Sequence, residues 1–114
     1  MTIETVPNVP HDNQFQTTGE WTEWKCPSDA YDQIHARVKC LSPAFNSYKI
    51  QFRNFYPYRV LVKSSASHVG GSGPNDDAQV PGNGGVSTLT YVNCGCGNVS
   101  SAEVFITIDS VISI

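Results

Sequence analysis

The stretch that decides the fold runs from Tyr48 to Lys63 and reads YKIQFRNFYPYRVLVK. Apolar and polar side chains alternate along each half of it, which is the period of a half-buried β-strand. The apolar positions are Tyr48, Ile50, Phe52, Tyr58, Val60 and Val62. Pro57 has no N–H to donate, so it ends the first strand and places a turn at residues 54–57. The stretch therefore predicts a hairpin with one apolar face and one cationic face.

The same period extends the prediction to the whole chain of 114 residues, a length that suits one domain. Further strands are expected at 14–18, 33–41, 86–93 and 102–114. Residues 27–32 are expected to form a turn that can include a single turn of helix. The glycine-rich region 64–85 is expected to be a long irregular loop whose centre, residues 70–77, moves. Residues 1–13 are expected to form an extended arm before a domain at 14–114, because Pro7 and Pro10 disfavour central pairing. The fold class is all-β, a single antiparallel β-sandwich of six to eight strands.

Three segments resemble immunoglobulin-like or fibronectin type III-like domains. They are Lys49-Ile-Gln-Phe-Arg-Asn, then Arg59-Val-Leu-Val, then Val80-Pro-Gly before a strand. The resemblance covers about residues 20–112 and is one of pattern, since the Cys–Trp–Cys spacing of antibody domains is absent. It implies an immunoglobulin-like sandwich and says little about function.

The cations are concentrated in one part of the chain. All seven lysines and arginines lie between residues 25 and 63, although the net charge of the protein is −3. If strands 33–41, 47–53 and 58–63 are neighbours, one sheet face carries the candidate binding residues His35, Arg37, Lys39, Lys49, Arg53, Arg59 and Lys63. Like charges on adjacent strands repel, so a partner's acidic surface or an anionic glycan or polymer would stabilise this face. The alternative is an ordinary solvated face.

Four cysteines, Cys26, Cys40, Cys94 and Cys96, allow several arrangements. Cys94 and Cys96 are too close in sequence to pair without strain, so two disulfides would join Cys26 and Cys40 to that turn. Buried free thiols are the second arrangement. A zinc site is the third, because the spacing does not match the usual zinc knuckles. No metal or other cofactor is therefore expected.

Catalysis has little support in the sequence. No nucleophile motif accompanies any of the three histidines, His11, His35 and His68, and no two of them have metal-binding spacing. The sequence also has no phosphate-binding loop motif. Nucleic acid binding is disfavoured by the acidic pI of about 5.4. No apolar run is long enough to span a membrane, and the first residues lack the pattern of a signal peptide. Trp21, Trp24, Tyr56 and Tyr58 are candidates for a sugar platform, or for ordinary packing.

These patterns predict a non-enzymatic structural or interaction module. It would bind a protein partner or copies of itself, as a pilus-like, virion-surface or cell-surface subunit does, in an extracellular rather than a cytoplasmic setting. The polarised charge and the apolar end at 111–114 favour such packing. The alternative function is an accessory domain of a secreted protein that binds a glycan or an anionic polymer.

Overall fold

Seven antiparallel strands form two sheets in the computed structural model, which describes residues 6–42, 47–68, 71–91 and 102–114. The strands are β1 (Gln14–Thr17), β2 (Ile34–Ser42), β3 (Ser47–Asn54), β4 (Val60–His68), β5 (Gly71–Val80), β6 (Gly85–Tyr91) and β7 (Ala102–Ser113). One sheet has the order β1-β7-β4-β5, and the other has the order β2-β3-β6. A 3-10 turn spans Asp29–Tyr31. The prediction of an all-β chain with antiparallel sheets is confirmed.

The core lies between the two sheets and is built from the alternating apolar positions. In the three-stranded sheet Val38, Ile50 and Phe52 are at most 1% exposed, and in the four-stranded sheet Val62 and Ile106 are fully buried. Where the structure describes the side chains, residues that face the core thus alternate with residues that face outward along the strands. This alternation sets which side chains can form a surface site.

The predicted hairpin at residues 48–63 is wrong, because β3 and β4 belong to different sheets. The connection between them crosses the sandwich beside the buried side chain of Asn54. The Asn54 amide donates to the carbonyls of Tyr58, at 2.8 Å, and Val80, at 3.3 Å, and its oxygen accepts from the Tyr56 N–H. A period of two places apolar residues toward a core, and it does so equally for one sheet or for two sheets that share that core.

The predicted loop at 64–85 is also wrong, since β4 continues to His68 and β5 occupies Gly71–Val80. β5 pairs with β4 alone, so it is an edge strand, where a residue such as Pro74 is tolerated. Ala78 and Val80 supply its buried contacts. The small and polar residues of this region favoured a loop in the sequence analysis. Backbone pairing between strands does not require large side chains, so these residues could still form a strand.

The turn between β5 and β6 depends on its glycines. Asn83 and Gly84 have φ values of 58° and 85°, in the left-handed region that Gly adopts without strain. A Cβ at Gly82 would lie 2.7 Å from the backbone nitrogen of Tyr58. The turn therefore packs directly on the β3–β4 connection.

The described part of the N-terminal arm docks on the body of the protein. The Pro10 carbonyl accepts from the Cys26 N–H at 2.9 Å, and the Asn13 carbonyl accepts from the Ile106 N–H at 2.9 Å. The His11 ring nitrogen lies 2.6 Å from an Asp29 carboxylate oxygen. These contacts hold residues 10–13 along the sandwich. At the other end of the chain, Ile112 and Ile114 are 44% and 56% exposed.

Two of the four cysteines can be placed. Cys26 and Cys40 are buried free thiols, which is the second of the arrangements considered from the sequence. Cys94 and Cys96 lie outside the described residues, and so does the turn that was predicted to pair with Cys26 and Cys40.

Candidate binding face

The outer face of the three-stranded sheet is a regular array of outward side chains. The registers of β2 with β3 and of β3 with β6 align three rows across the strands. The rows are Lys39–Lys49–Thr90, Arg37–Gln51–Thr88 and His35–Arg53–Val86. We call these nine positions, with Trp21, Trp24 and Phe55 beside them, the candidate face.

The structure brings together five of the seven predicted cationic residues and separates the other two. His35, Arg37, Lys39, Lys49 and Arg53 all lie in the array. By contrast, Lys63 lies on β4 in the other sheet, across from Asp77 of β5, and Arg59 precedes that strand. The prediction that residues 58–63 adjoin the first two strands is therefore wrong, because the chain crosses to the opposite sheet after β3.

Trp21 and Trp24 reach the candidate face because the segment before the 3-10 turn follows the outer edge of β2. Thr22 donates its N–H to the Val38 carbonyl at 2.9 Å and accepts from the Val38 N–H through its hydroxyl at 3.0 Å. Lys25 and Ala36 exchange two backbone hydrogen bonds, at 2.9 and 2.8 Å. This pairing covers the edge of β2 and fixes both indoles next to the strand that carries Arg37.

Two arginines and three rings form a continuous stack, which we call the arginine–tryptophan stack. The Arg37 guanidinium carbon lies 4.7 Å from the Trp21 ring centre and 4.5 Å from that of Trp24. The Arg53 guanidinium carbon lies 4.8 Å from the Trp24 ring centre and 5.5 Å from that of Phe55. All four distances fall within the range of cation–π attraction. Trp24 therefore contacts both cations.

The polar contacts of the two arginines differ. Arg37 Nε donates to Gln51 Oε1 at 2.7 Å, and Gln51 Nε2 donates to Thr88 Oγ1 at 3.2 Å, so the middle row is a hydrogen-bonded chain. Arg53 Nε is buried without a hydrogen-bond partner among the described residues. A guanidinium that stacks through its faces keeps its N–H donors free at the edge of its own plane, where two of them can bind one carboxylate or phosphate.

The three strands of the candidate face contribute positive charge only, and their lysines and arginines form no ion pair among the described residues. Strands β2, β3 and β6 carry four lysines and arginines and no Asp or Glu. Lys39 and Lys49 face each other directly, an arrangement that is destabilising between strands. Burial, followed by the charge of Arg53, lowers the pKa of Arg37. Its guanidinium still stays charged at any physiological pH.

His35 does not belong to the exposed part of the face, although the sequence predicted it as a binding residue. Its side chain is 2% exposed, with Nε2 3.1 Å from the Asp32 carbonyl oxygen and the ring 5.1 Å from that of Phe55. Burial lowers the pKa of His35; the hydrogen bond to the Asp32 carbonyl opposes the shift, and the nearby Arg53 charge adds to it. The buried His35 ring therefore packs against the Phe55 ring in a tilted arrangement.

The predicted aromatic platform is divided between two places. Trp21 and Trp24 belong to the arginine–tryptophan stack, whereas Tyr56 and Tyr58 stack on each other in the β3–β4 connection, with ring centres 5.4 Å apart. Phe55 was missed. It ends the alternation of β3, and its role depends on the stack rather than on the core.

Two other kinds of feature, a metal-binding cluster and a membrane-spanning helix, are absent from the part of the chain that the structure describes. No group of three or more His, Cys, Asp or Glu side chains is placed to hold a metal ion among these residues. None of their helices is long and apolar enough to cross a bilayer.

Comparisons with known proteins add no family. No family model, no curated protein and no solved structure matches this chain.

Proposed function

We propose that the protein is a non-enzymatic structural or interaction module that binds an acidic protein surface through the candidate face. The partner is another protein or a copy of this one. The observation that carries the proposal is the pair of stacked arginines, which form no ion pair within the part of the chain that the structure describes, beside two directly opposed lysines. An acidic partner would neutralise the four positive charges that β2 and β3 bring together on this face.

The composition of the face also supports a binding role. Tryptophan and arginine are the residues that most often dominate binding energy at protein interfaces. Here Trp24 holds Arg37 and Arg53 in fixed orientations before any partner arrives. Less side-chain entropy is then lost when the guanidinium groups bind a carboxylate. The two lysines, which are half-buried and carry flexible side chains, contribute more to the rate and salt dependence of association.

The two tryptophans of the chain provide a direct assay, because both belong to the stack. Titration with poly-L-glutamate is expected to change the intrinsic fluorescence, and salt at about 0.5 M is expected to suppress that change. A variant with Lys39→Glu and Lys49→Glu should bind about tenfold more weakly or worse. The matched control, Arg59→Glu with Lys63→Glu, changes the net charge equally but leaves the candidate face intact. Equal weakening by both variants would refute the proposal.

A second candidate function is an accessory domain that binds an anionic glycan or polymer. The specific observation in its favour is the linear order of rings and cations in the stack, which suits an extended ligand. In the same fluorescence assay, a sulfated glycan such as heparin would then bind at least about tenfold more tightly than poly-L-glutamate. Comparable or weaker binding of heparin would favour the acidic protein surface.

We also propose that the immunoglobulin-like resemblance applies to the two-sheet architecture. The pairing of β3 with β6 and of β4 with β5 supports it. The position of β7 between β1 and β4 and the pairing of β2 with β3 both depart from the immunoglobulin order, in which the second and third strands lie in opposite sheets. A surface setting, on a virion, a pilus or a cell, remains part of the proposal.

A further inference from the structure

The two sheets of the sandwich differ sharply in charge. Strands β1, β4, β5 and β7 carry four carboxylates and one ammonium group, Lys63. The strands of the other sheet carry four cations and no carboxylate. The acidic residues are Asp76, Asp77, Glu103 and Asp109.

Three of these four acidic side chains point away from the candidate face. Asp77, Glu103 and Asp109 each neighbour a buried residue of the core, namely Ala78, Val104 and Ile108. They therefore lie on the outer face of the four-stranded sheet, and Asp77 and Asp109 are exposed. Since the two sheets share one core, this acidic face and the candidate face lie on opposite sides of the molecule.

Both faces also present apolar side chains among their charges. Leu61 and Ile112 are direct neighbours in the register of β4 with β7, and Ile112 is 44% exposed. On the candidate face Val86 is 40% exposed at the end of the row that holds Arg53. Each face thus combines charge with exposed apolar surface, as protein interfaces do.

We infer that the partner of the candidate face is a second copy of this chain, bound through the acidic face of its four-stranded sheet. The inference rests on the proposed function and names its partner. Charge also selects against the symmetric arrangement, because two candidate faces placed together would oppose lysines and arginines to one another. The contact is therefore heterologous. Each added copy leaves one basic face and one acidic face free at the two ends, so the assembly can grow end to end.

Sedimentation velocity over a range of protein concentrations tests the inference. The wild-type protein should form species larger than a dimer at low salt, and about 0.5 M salt should return it to the monomer. Lys39→Glu with Lys49→Glu should raise the concentration for half-assembly at least about tenfold. The control variant, Arg59→Glu with Lys63→Glu, has the same net charge as the lysine variant, but it makes the outer face of the four-stranded sheet more acidic. It should therefore assemble at least as well as the wild type.

Complementation between two faces gives the sharpest result. The variant with Asp77→Lys and Glu103→Lys should be monomeric alone, as should the variant with Lys39→Glu and Lys49→Glu. An equal mixture of the two should form a one-to-one heterodimer, because each variant keeps the intact face that the other lacks. Circular dichroism of each variant confirms that it is folded. If one acidic-face variant does not fold, Asp109→Lys with Glu103→Lys replaces it.

Two results would overturn the inference. One is a wild-type protein that stays monomeric at every concentration at low salt, and the other is a mixture of folded variants that fails to assemble. If that monomeric protein still binds poly-L-glutamate through Lys39 and Lys49, the proposed function stands and only the identity of the partner is wrong. If the protein stays monomeric and also does not bind poly-L-glutamate, both proposals fail.

Discussion

The contact between Trp24 and the two arginines makes a quantitative prediction about stability. Its ring centre lies 4.5 Å from the Arg37 guanidinium carbon and 4.8 Å from that of Arg53. At partly exposed sites each such contact is worth about 0.5–1 kcal/mol. Trp24→Leu should therefore remove about 1–2 kcal/mol of cation–π attraction, in addition to the apolar contact area that it loses.

A double-mutant cycle separates the cation–π contribution from the loss of area. We expect a coupling free energy of about 0.5–1 kcal/mol between Trp24→Leu and Arg37→Met, and a similar value between Trp24→Leu and Arg53→Met. The free energies of unfolding come from urea titrations followed by far-ultraviolet circular dichroism, because the substitution removes a fluorophore. Trp21 and Arg53 make no ring–cation contact among the described residues, so this pair is the matched control.

The control pair should couple by less than about 0.3 kcal/mol, the usual error of additivity. Coupling below that value in both contacting pairs would refute the reasoning, since the stack would then be a geometric coincidence without energy. Equal coupling in the contacting pairs and the control pair would refute it as well, because the effect would not depend on contact.

Three further predictions concern buried polar groups. Burial lowers the pKa of His35 below its ordinary value of about 6.5, so the unfolded chain binds the proton more readily and stability should fall as pH drops below about 6.5. Urea midpoints measured against pH should show this slope, and the slope should be smaller in His35→Gln. Asn54→Leu removes the side-chain hydrogen bonds to two carbonyls and one N–H, so it should lower the free energy of unfolding by about 2–4 kcal/mol in the same assay. A decrease below about 1 kcal/mol would contradict the bridging role of Asn54. Burial also raises the pKa of Cys26, so its thiol should react with a disulfide reagent slowly in the native protein and quickly in denaturant without reductant, whereas absence of that reaction would indicate a disulfide.

The sequence contained enough information for the inward faces of the strands and for the pairing of β2 with β3. The alternation of Ile34, Ala36 and Val38 matches that of Ile50 and Phe52, and any register that buries both sets places the intervening polar and cationic residues together on the outer face. Four half-buried members of the candidate face could therefore be named from the sequence.

The parts that could not be predicted depend on contacts between distant segments. Lys63 continues the same alternation as Arg53, but the pattern does not reveal that the chain changes sheets between them. The stack requires the backbone of Thr22 and Lys25 to pair with β2, which no local pattern of residues 18–26 indicates. Likewise, β5 is defined by its register with β4 and not by strand-forming side chains.

The most direct test of the candidate face is to map a bound acidic probe by nuclear magnetic resonance. In ¹⁵N-labelled protein, the indole N–H signals of Trp21 and Trp24 and the Nε–H signals of Arg37 and Arg53 report on the stack. Titration with a glutamate-rich peptide should shift these signals together with the amides of β2 and β3. A titration that shifts only amides of β1, β4, β5 or β7, or none at all, would contradict the account.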